Sequence, residues 1–250
     1  RRFGEPVRIV KGPSRVKISL NILKSAMNTQ VDRQGVVANN LANISTTGFK
    51  RDVSFIEFLT GDPASKLVVR TDFAPGRLKQ TDNPLDLALV GRGFFAVETD
   101  DGEAYTRNGR FTVGEDGVLR TVSGFPVLGL NGPVTLPLEG MRGGGLTVTA
   151  RGEVLVGGEP AAMLRIVDFE SYAGLKKVGA DLFKATAGSF PEPAVEPAVR
   201  QGNLEESNVD PIGEMVGLIE LQRRFESSLR VVRALDGALG RAVNDIGRLS

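Results

Sequence analysis

Two carboxylates four residues apart, Asp82 and Asp86, are the first residues in this chain whose type and spacing could do chemistry. A pair of that kind can share acid–base work in a hydrolase. It needs a supporting base, a metal ligand or an aromatic platform, and the chain supplies these poorly: it has no histidine, cysteine or tryptophan, and two tyrosines. Without cysteine there is no disulfide, no thiolate nucleophile and no thiolate-bound metal. Without histidine the commonest general base and metal ligand are gone. Asp82 and Asp86 are therefore expected on a solvated surface. Gly91-Arg92-Gly93 has neither phosphate-loop spacing and precedes no helical pattern, so its glycines read as a tight turn rather than a nucleotide cradle. Arg107 and Arg110 could hold an anion, but a structural or interface ion pair fits them better. No catalytic, cofactor-binding or metal-ligating residue is assigned, and no cofactor is expected.

The elements that carry these residues are read from periodicity. Leu218, Phe225, Val232, Leu239 and Ile246 recur every seven residues near the C-terminus, with Leu221, Leu235, Ala242 and Leu249 three residues after four of them and Ser228 as the weak member. An apolar seam of that period predicts a coiled-coil helix. A second helical pattern, at Leu20, Leu23, Met27, Val31, Val37 and Leu41, predicts a helix from about Ser19 to Asn43. Asn39, Asn40 and Asn43 favour caps and turns, so that helix should end among them. Their amides also carry donors and acceptors able to pair with another chain's backbone.

Between the helices lies a Gly-rich stretch of short strand signals. Leu85–Leu89 alternates, Gly93–Val97 is a continuous apolar run before the turn Asp100-Asp101-Gly102, and Glu115-Asp116-Gly117 marks a hairpin. The expected fold class is α+β: a mainly-β central domain flanked by N- and C-terminal helices that pair as a coiled coil. The expected organisation is an irregular leader over 1–18, a helix and turn over 19–60, a β-domain over 61–204 and a coiled-coil helix over 205–250. A translation start at Val16 would make the first fifteen residues an extension. Ser207, Asn208 and Asp210 compete as N-cap of the last helix, with Pro211 suited to its first turn. The 250 residues can bury a sizeable core, and a net charge of +1 gives no global field toward nucleic acid.

Four ordered motifs carry a family resemblance. The run Asn39-Asn40-Leu41-Ala42-Asn43 followed by Ser45-Thr46-Thr47-Gly48-Phe49-Lys50 resembles the N-terminal signature of bacterial flagellar rod, hook and hook-associated axial proteins. Pro84-Leu85-Asp86 with Gly91-Arg92-Gly93-Phe94-Phe95 resembles a second segment of that family, and Tyr105-Thr106-Arg107-Asn108-Gly109 a third. Gly202-Asn203-Leu204-Glu205-Glu206-Ser207-Asn208 resembles the stretch that opens its C-terminal helix. The match runs from about Ser19 to the C-terminus, and the first 18 residues have no counterpart in it.

The resemblance implies a structural subunit of the flagellar basal-body rod, not an enzyme, that assembles helically into the drive shaft between motor and hook. It implies other rod subunits and the flagellar type III export apparatus as partners, with no nucleic acid and no small-molecule substrate. It also implies a periplasmic place in the basal body, reached without a cleaved signal peptide. The assembly interface is then expected at Leu20, Leu23, Met27, Asn39, Asn40, Leu41 and Asn43 on one helix, and at Leu218, Leu221, Phe225, Val232, Leu235, Leu239 and Ile246 on the other. Two other classes stay open on the residues alone: a coiled-coil adaptor outside any flagellum, and an Asp/Glu-dependent extracellular hydrolase.

Overall fold

The computed structural model describes residues 13–58, 65–141, 145–179 and 181–247. Among them the chain is mostly β, with one long helix toward each end. Helix α1 spans Pro13–Ala42, a single turn α2 spans Leu138–Met141, and α3 spans Pro211–Gly247. Residues 13–18, read above as irregular leader, are thus the opening turns of α1. Pro13 suits that first position, where its missing N–H costs nothing. The segment after Phe49 is extended, as the strand Asp52–Phe58.

The described chain divides into two compact units, each passed through more than once. One takes its described residues from Arg1–Ala38, Ser54–Val69 and Met215–Ser250; the other comprises Asn39–Val53 and Arg70–Glu214.

The second unit holds the core. Its largest sheet has six strands, in the spatial order Leu175–Lys177, Leu182–Ala185, Gly102–Thr106, Phe94–Thr99, Ile166–Asp168 and Glu192–Pro193. Every pairing in it is antiparallel. The apolar run at Phe94 is buried on both faces of this sheet. Phe95 and Val97 face one cluster with Leu87, Leu89, Phe111 and Val199, while Phe94 and Ala96 face another with Tyr105, Phe169 and Phe183. Side chains alternate across a strand, so a strand covered on both sides must be apolar at consecutive positions. Phe94 meets Phe73, Phe169, Tyr172 and Phe183 edge-on, at centroid separations of 5.4 to 6.0 Å, the arrangement that aromatic quadrupoles favour.

The Asp116-Gly117 signal closes a hairpin between Phe111–Val113 and Leu119–Thr121. Asp100-Asp101 closes a tighter one, with Thr99 opposite Gly102.

The paired coiled coil is corrected: the described structure shows no such pairing of α1 and α3. Two physical features account for this. Along α1, Leu20, Met27 and Leu41 share a seven-residue register, with Leu23 and Val37 three residues after it, but Gln30 and Gln34 stand at the seam positions between them and interrupt the apolar stripe. Val31 of α1 and Leu235 of α3 stand 50% and 40% exposed, which two closed seams would not leave. The solvated reading of the carboxylate pair is corrected as well. Asp82 is exposed, but Asp86 is buried, accepting a hydrogen bond from Asn83 Nδ2 at 3.2 Å.

Candidate functional site

Three charged side chains from distant parts of the chain meet inside the β-rich unit. Lys50 and Glu205 are fully buried and Arg107 is 3% exposed. Lys50 Nζ donates to Glu205 Oε1 at 2.5 Å and to the Ala74 carbonyl at 2.8 Å. Arg107 donates to Glu205 Oε2 at 3.3 Å and to the Leu89 carbonyl at 3.2 Å, and also to the Gly91 carbonyl. The Gly76 N–H completes the set around Glu205 Oε1 at 2.8 Å. Burial holds the Lys50 ammonium below its ordinary pKa, while Glu205 pulls the other way. Arg107 also lies over the Phe94 ring, its Cζ 5.4 Å from the centroid, tying the triad to the aromatic cluster.

Backbone geometry brings the three together. The turn after α1 ends at Gly48, whose φ of +69° is left-handed and whose N–H reaches the Glu205 carbonyl at 2.7 Å. A Cβ there would stand 2.4 Å from the Asn108 nitrogen. Gly109 is equally tight, because a Cβ would fall 1.6 Å from the Leu87 carbonyl oxygen. Small residues at these two positions let the three motif segments pass at backbone contact.

Two asparagines lock the helix ends to this junction. Asn40 is 1% exposed, and its amide pairs with Asp52 like a strand neighbour: Oδ1 accepts from the Asp52 N–H at 2.9 Å and Nδ2 donates to the Asp52 carbonyl at 2.8 Å. Nδ2 also reaches Glu214 Oε1 at 3.1 Å, joining the last turn of α1 to the first turn of α3. Asn40 is thus bonded within its own chain. Asn208 accepts from the Arg51 N–H at 2.7 Å and donates to the carbonyls of Asp72 and Ala74 at 2.8 and 3.0 Å. The N-cap of α3 is Asp210, whose Oδ1 accepts from the Ile212 N–H at 3.2 Å. Nearby, Lys177 donates to the Lys50 carbonyl at 2.6 Å and to Asp52 at 3.1 Å, and stands over the Phe49 ring at 3.8 Å. Burial lowers its pKa against the pull of Asp52.

The helical positions are less enclosed. On α3, Leu221 is buried and Leu218, Phe225 and Val232 are half-buried, whereas Leu235 is exposed. A second apolar set, Ile212, Met215, Val216 and Ile219, stands 52–75% exposed at helical spacing. On α1, Leu23, Met27 and Leu41 are half-buried and Asn39 is exposed, and Asn43, in the turn just past its end, is half-buried. The side chains of Leu20, Leu239 and Ile246 lie outside the described residues.

Three segments match described protein families: residues 20–50 match "Flagella basal body rod protein", 88–156 match "Flagellar hook protein FlgE/F/G D1 domain", and 200–245 match "Flagellar basal body rod FlgEFG protein C-terminal". Among similar proteins, the rod protein FlgF of Salmonella typhimurium is 36% identical over 241 residues, covering 87% of this chain and 93% of that one. FlgF of Caulobacter vibrioides is 34% identical over 237 residues, covering 86% and 92%. The rod protein FlgG of Agrobacterium fabrum is 32% identical over 255 residues, covering 87% and 95%. The chain belongs to the flagellar basal-body rod protein family. It is a structural subunit of the rod in the flagellar basal body.

Each family segment contributes one charge to the buried triad: Lys50 closes the first, Arg107 lies in the second and Glu205 in the third. The motif residues collect around this point. Gly91 and Gly93 form the turn before Phe94 and Phe95, where Arg92 pairs with Asp168 at 2.8 Å. Gly202 donates to the Asp86 carbonyl at 2.8 Å, and Leu204, Phe49 and Tyr105 are buried. Ser207 Oγ accepts from the Val209 N–H at 3.3 Å. Pro84 is exposed, its carbonyl accepting from Gln201 at 2.9 Å, and Leu85 packs at the core edge. Sequence reasoning missed Lys50 and Glu205 as site residues. The available signal was a single charge ending the Gly48-Phe49-Lys50 run and another following Leu204, both set among small and apolar neighbours.

Proposed function

We propose that this rod subunit assembles helically through its terminal helices, as one element of a shaft that carries torque and performs no catalysis. The observation that carries the reading is the exposed apolar set Ile212, Met215, Val216 and Ile219 on α3, together with exposed Leu235. A soluble helix with a second apolar face gains by covering it, and in a helical assembly the cover is a neighbouring subunit. The buried triad suits the mechanical role. Inside the β-rich unit it holds the segment after α1, the Arg107 segment and the segment before α3 together through charge-assisted bonds.

The same reading places the subunit in the periplasmic rod, after passage unfolded through the flagellar type III apparatus without a cleaved signal. A chain with no cysteine can cross in that form with no disulfide to form or scramble.

The test uses that absence of cysteine. Leu235→Cys is labelled with a maleimide on the free subunit and in purified hook–basal bodies. Rapid labelling of the free subunit and protection in the basal body is the expected pair. Equal labelling in both would remove the helix-lined assembly.

A further inference from the structure

A cavity of about 480 Å³ in the β-rich unit is lined by Arg77, Lys79, Thr81 and Arg110, with Glu206 as its one carboxylate. Arg77 and Lys79 stand two residues apart along an extended segment and so share a face. Arg110 is brought alongside by its bridge to Asp86. None of the three cations has a carboxylate within 4.0 Å among the described residues, Glu206 included. The Thr81 hydroxyl in the cavity wall is buried without a hydrogen-bond partner among the described residues. Unpaired cations beside an unsatisfied hydroxyl describe a receptor for carboxylates.

The chain as a whole is nearly balanced, with 31 basic and 30 acidic residues, so a local excess of cations has its complement elsewhere on the same chain. The densest acidic stretch on a rigid element is the hairpin tip, where Glu98, Asp100, Asp101 and Glu103 fall within six residues. Lys184 and Arg165 meet Asp101 and Glu103 at 3.2 and 3.1 Å, but the Asp101 side chain is still 88% exposed, and Glu98 and Asp100 are exposed too. The tip is narrow: two residues join strands that pair from Thr99 with Gly102 back to Phe95 with Thr106.

Tip and cavity lie at opposite ends of that hairpin. Arg110 comes four residues after Thr106, at the base, and strands of this length separate base from tip by roughly 17 Å at ~3.4 Å per residue. One copy cannot fill its own cavity with its own tip, but a second copy can.

We propose that the acidic hairpin tip of one copy seats in the Arg77–Lys79–Arg110 cavity of the next. Because the two surfaces differ, the contact is head-to-tail, the kind that can continue from copy to copy along a helical assembly. The inference rests on the rod reading and names one of its contacts.

Charge exchange tests it in cells, with recovery in purified hook–basal bodies as the readout. The double variant Asp100→Lys/Asp101→Lys and the double variant Arg77→Glu/Lys79→Glu each juxtapose like charges, and each should lower recovery by about tenfold or more. The combined quadruple variant restores opposite charges and should return recovery toward wild type, which a mere folding defect could not do. A pair of cysteines at Asp101 and Lys79, oxidised in basal bodies, should give disulfide-linked multimers of this chain alone. Wild-type recovery of either double variant, a quadruple variant that stays absent, or a disulfide to a protein of another mass would each overturn the proposal. So would saturable binding of inorganic phosphate to the cavity in a subunit whose reversed tip still incorporates normally. Absence of the wild-type chain from basal bodies would instead sink the rod reading on which the proposal stands.

Discussion

Removing Glu205 leaves Lys50 and Arg107 buried side by side without a carboxylate. Breaking one side of a buried ion cluster costs about 3–5 kcal/mol, so Glu205→Ala should lower the urea midpoint of the β-rich unit steeply. Lys50→Met should cost less, about 1–3 kcal/mol, because Arg107 and the Gly76 N–H still serve Glu205 and the burial penalty on the ammonium disappears. Equal losses for the two variants would contradict the triad as drawn. Tyr105 sets a pH limit. Burial, with the neighbouring Glu103 carboxylate, pushes its hydroxyl up to about 12 from 10.0. Between those values the unfolded chain has released the proton and the native chain has not, so stability falls as pH rises through that window. Lys50 and Lys177, held below 10.5, act with the opposite sign up to that value. Tyr105→Phe should therefore flatten the alkaline loss of stability above pH 10, measured by urea unfolding as a function of pH. Of these residues, Arg107 was legible in the sequence as an ion-pair candidate. Its partner Glu205 lies 98 positions away and Lys50 a further 57 upstream of Arg107, so no local pattern links them.

At the scale of elements the sequence marked the start of α3 but missed the opening turns of α1 at Pro13–Ile18. Pro211 suited the first turn of α3, and the structure selects Asp210 from the three cap candidates Ser207, Asn208 and Asp210. Asp210→Ala should cost about 1 kcal/mol and shorten α3 at its first turn, read by circular dichroism and urea unfolding. Gly48→Ala should cost more, because a left-handed backbone alone is worth about 1–3 kcal/mol and the added carbon would press on the Asn108 nitrogen. Strands such as Phe94–Thr99 were legible from the apolar run. The coiled-coil pairing was not, because a heptad seam says that a helix wants a partner without saying which. The seam of α3 was read together with the other long helix of the same chain, yet α1 places Gln30 and Gln34 in its own seam. Of the apolar residues of α3, Met215, Val216, Ile219 and Leu235 are exposed. In the free subunit, amides beyond Val232 should exchange quickly, and in the basal body they should be protected. Full protection in the free subunit would contradict this.

At the scale of the whole molecule, the chain combines a β-rich unit that holds the core with a second unit in which α3 exposes apolar side chains. Three segments that match rod-protein families converge on one buried charge cluster, and α3 exposes Met215, Val216, Ile219 and Leu235. The most direct test alters the seam of α3 without touching the junction. Val232 is half-buried in the subunit, and an aspartate there would become a costly unpaired charge once a neighbour closes over it. Hook–basal bodies are purified from cells in which Val232→Asp replaces the natural residue, and the subunit is quantified beside wild type. The variant should be absent from the rod and the cells non-motile, while its β-rich unit keeps a cooperative unfolding transition. Normal recovery of the variant in basal bodies, with normal swimming, would contradict assembly through the helical seam.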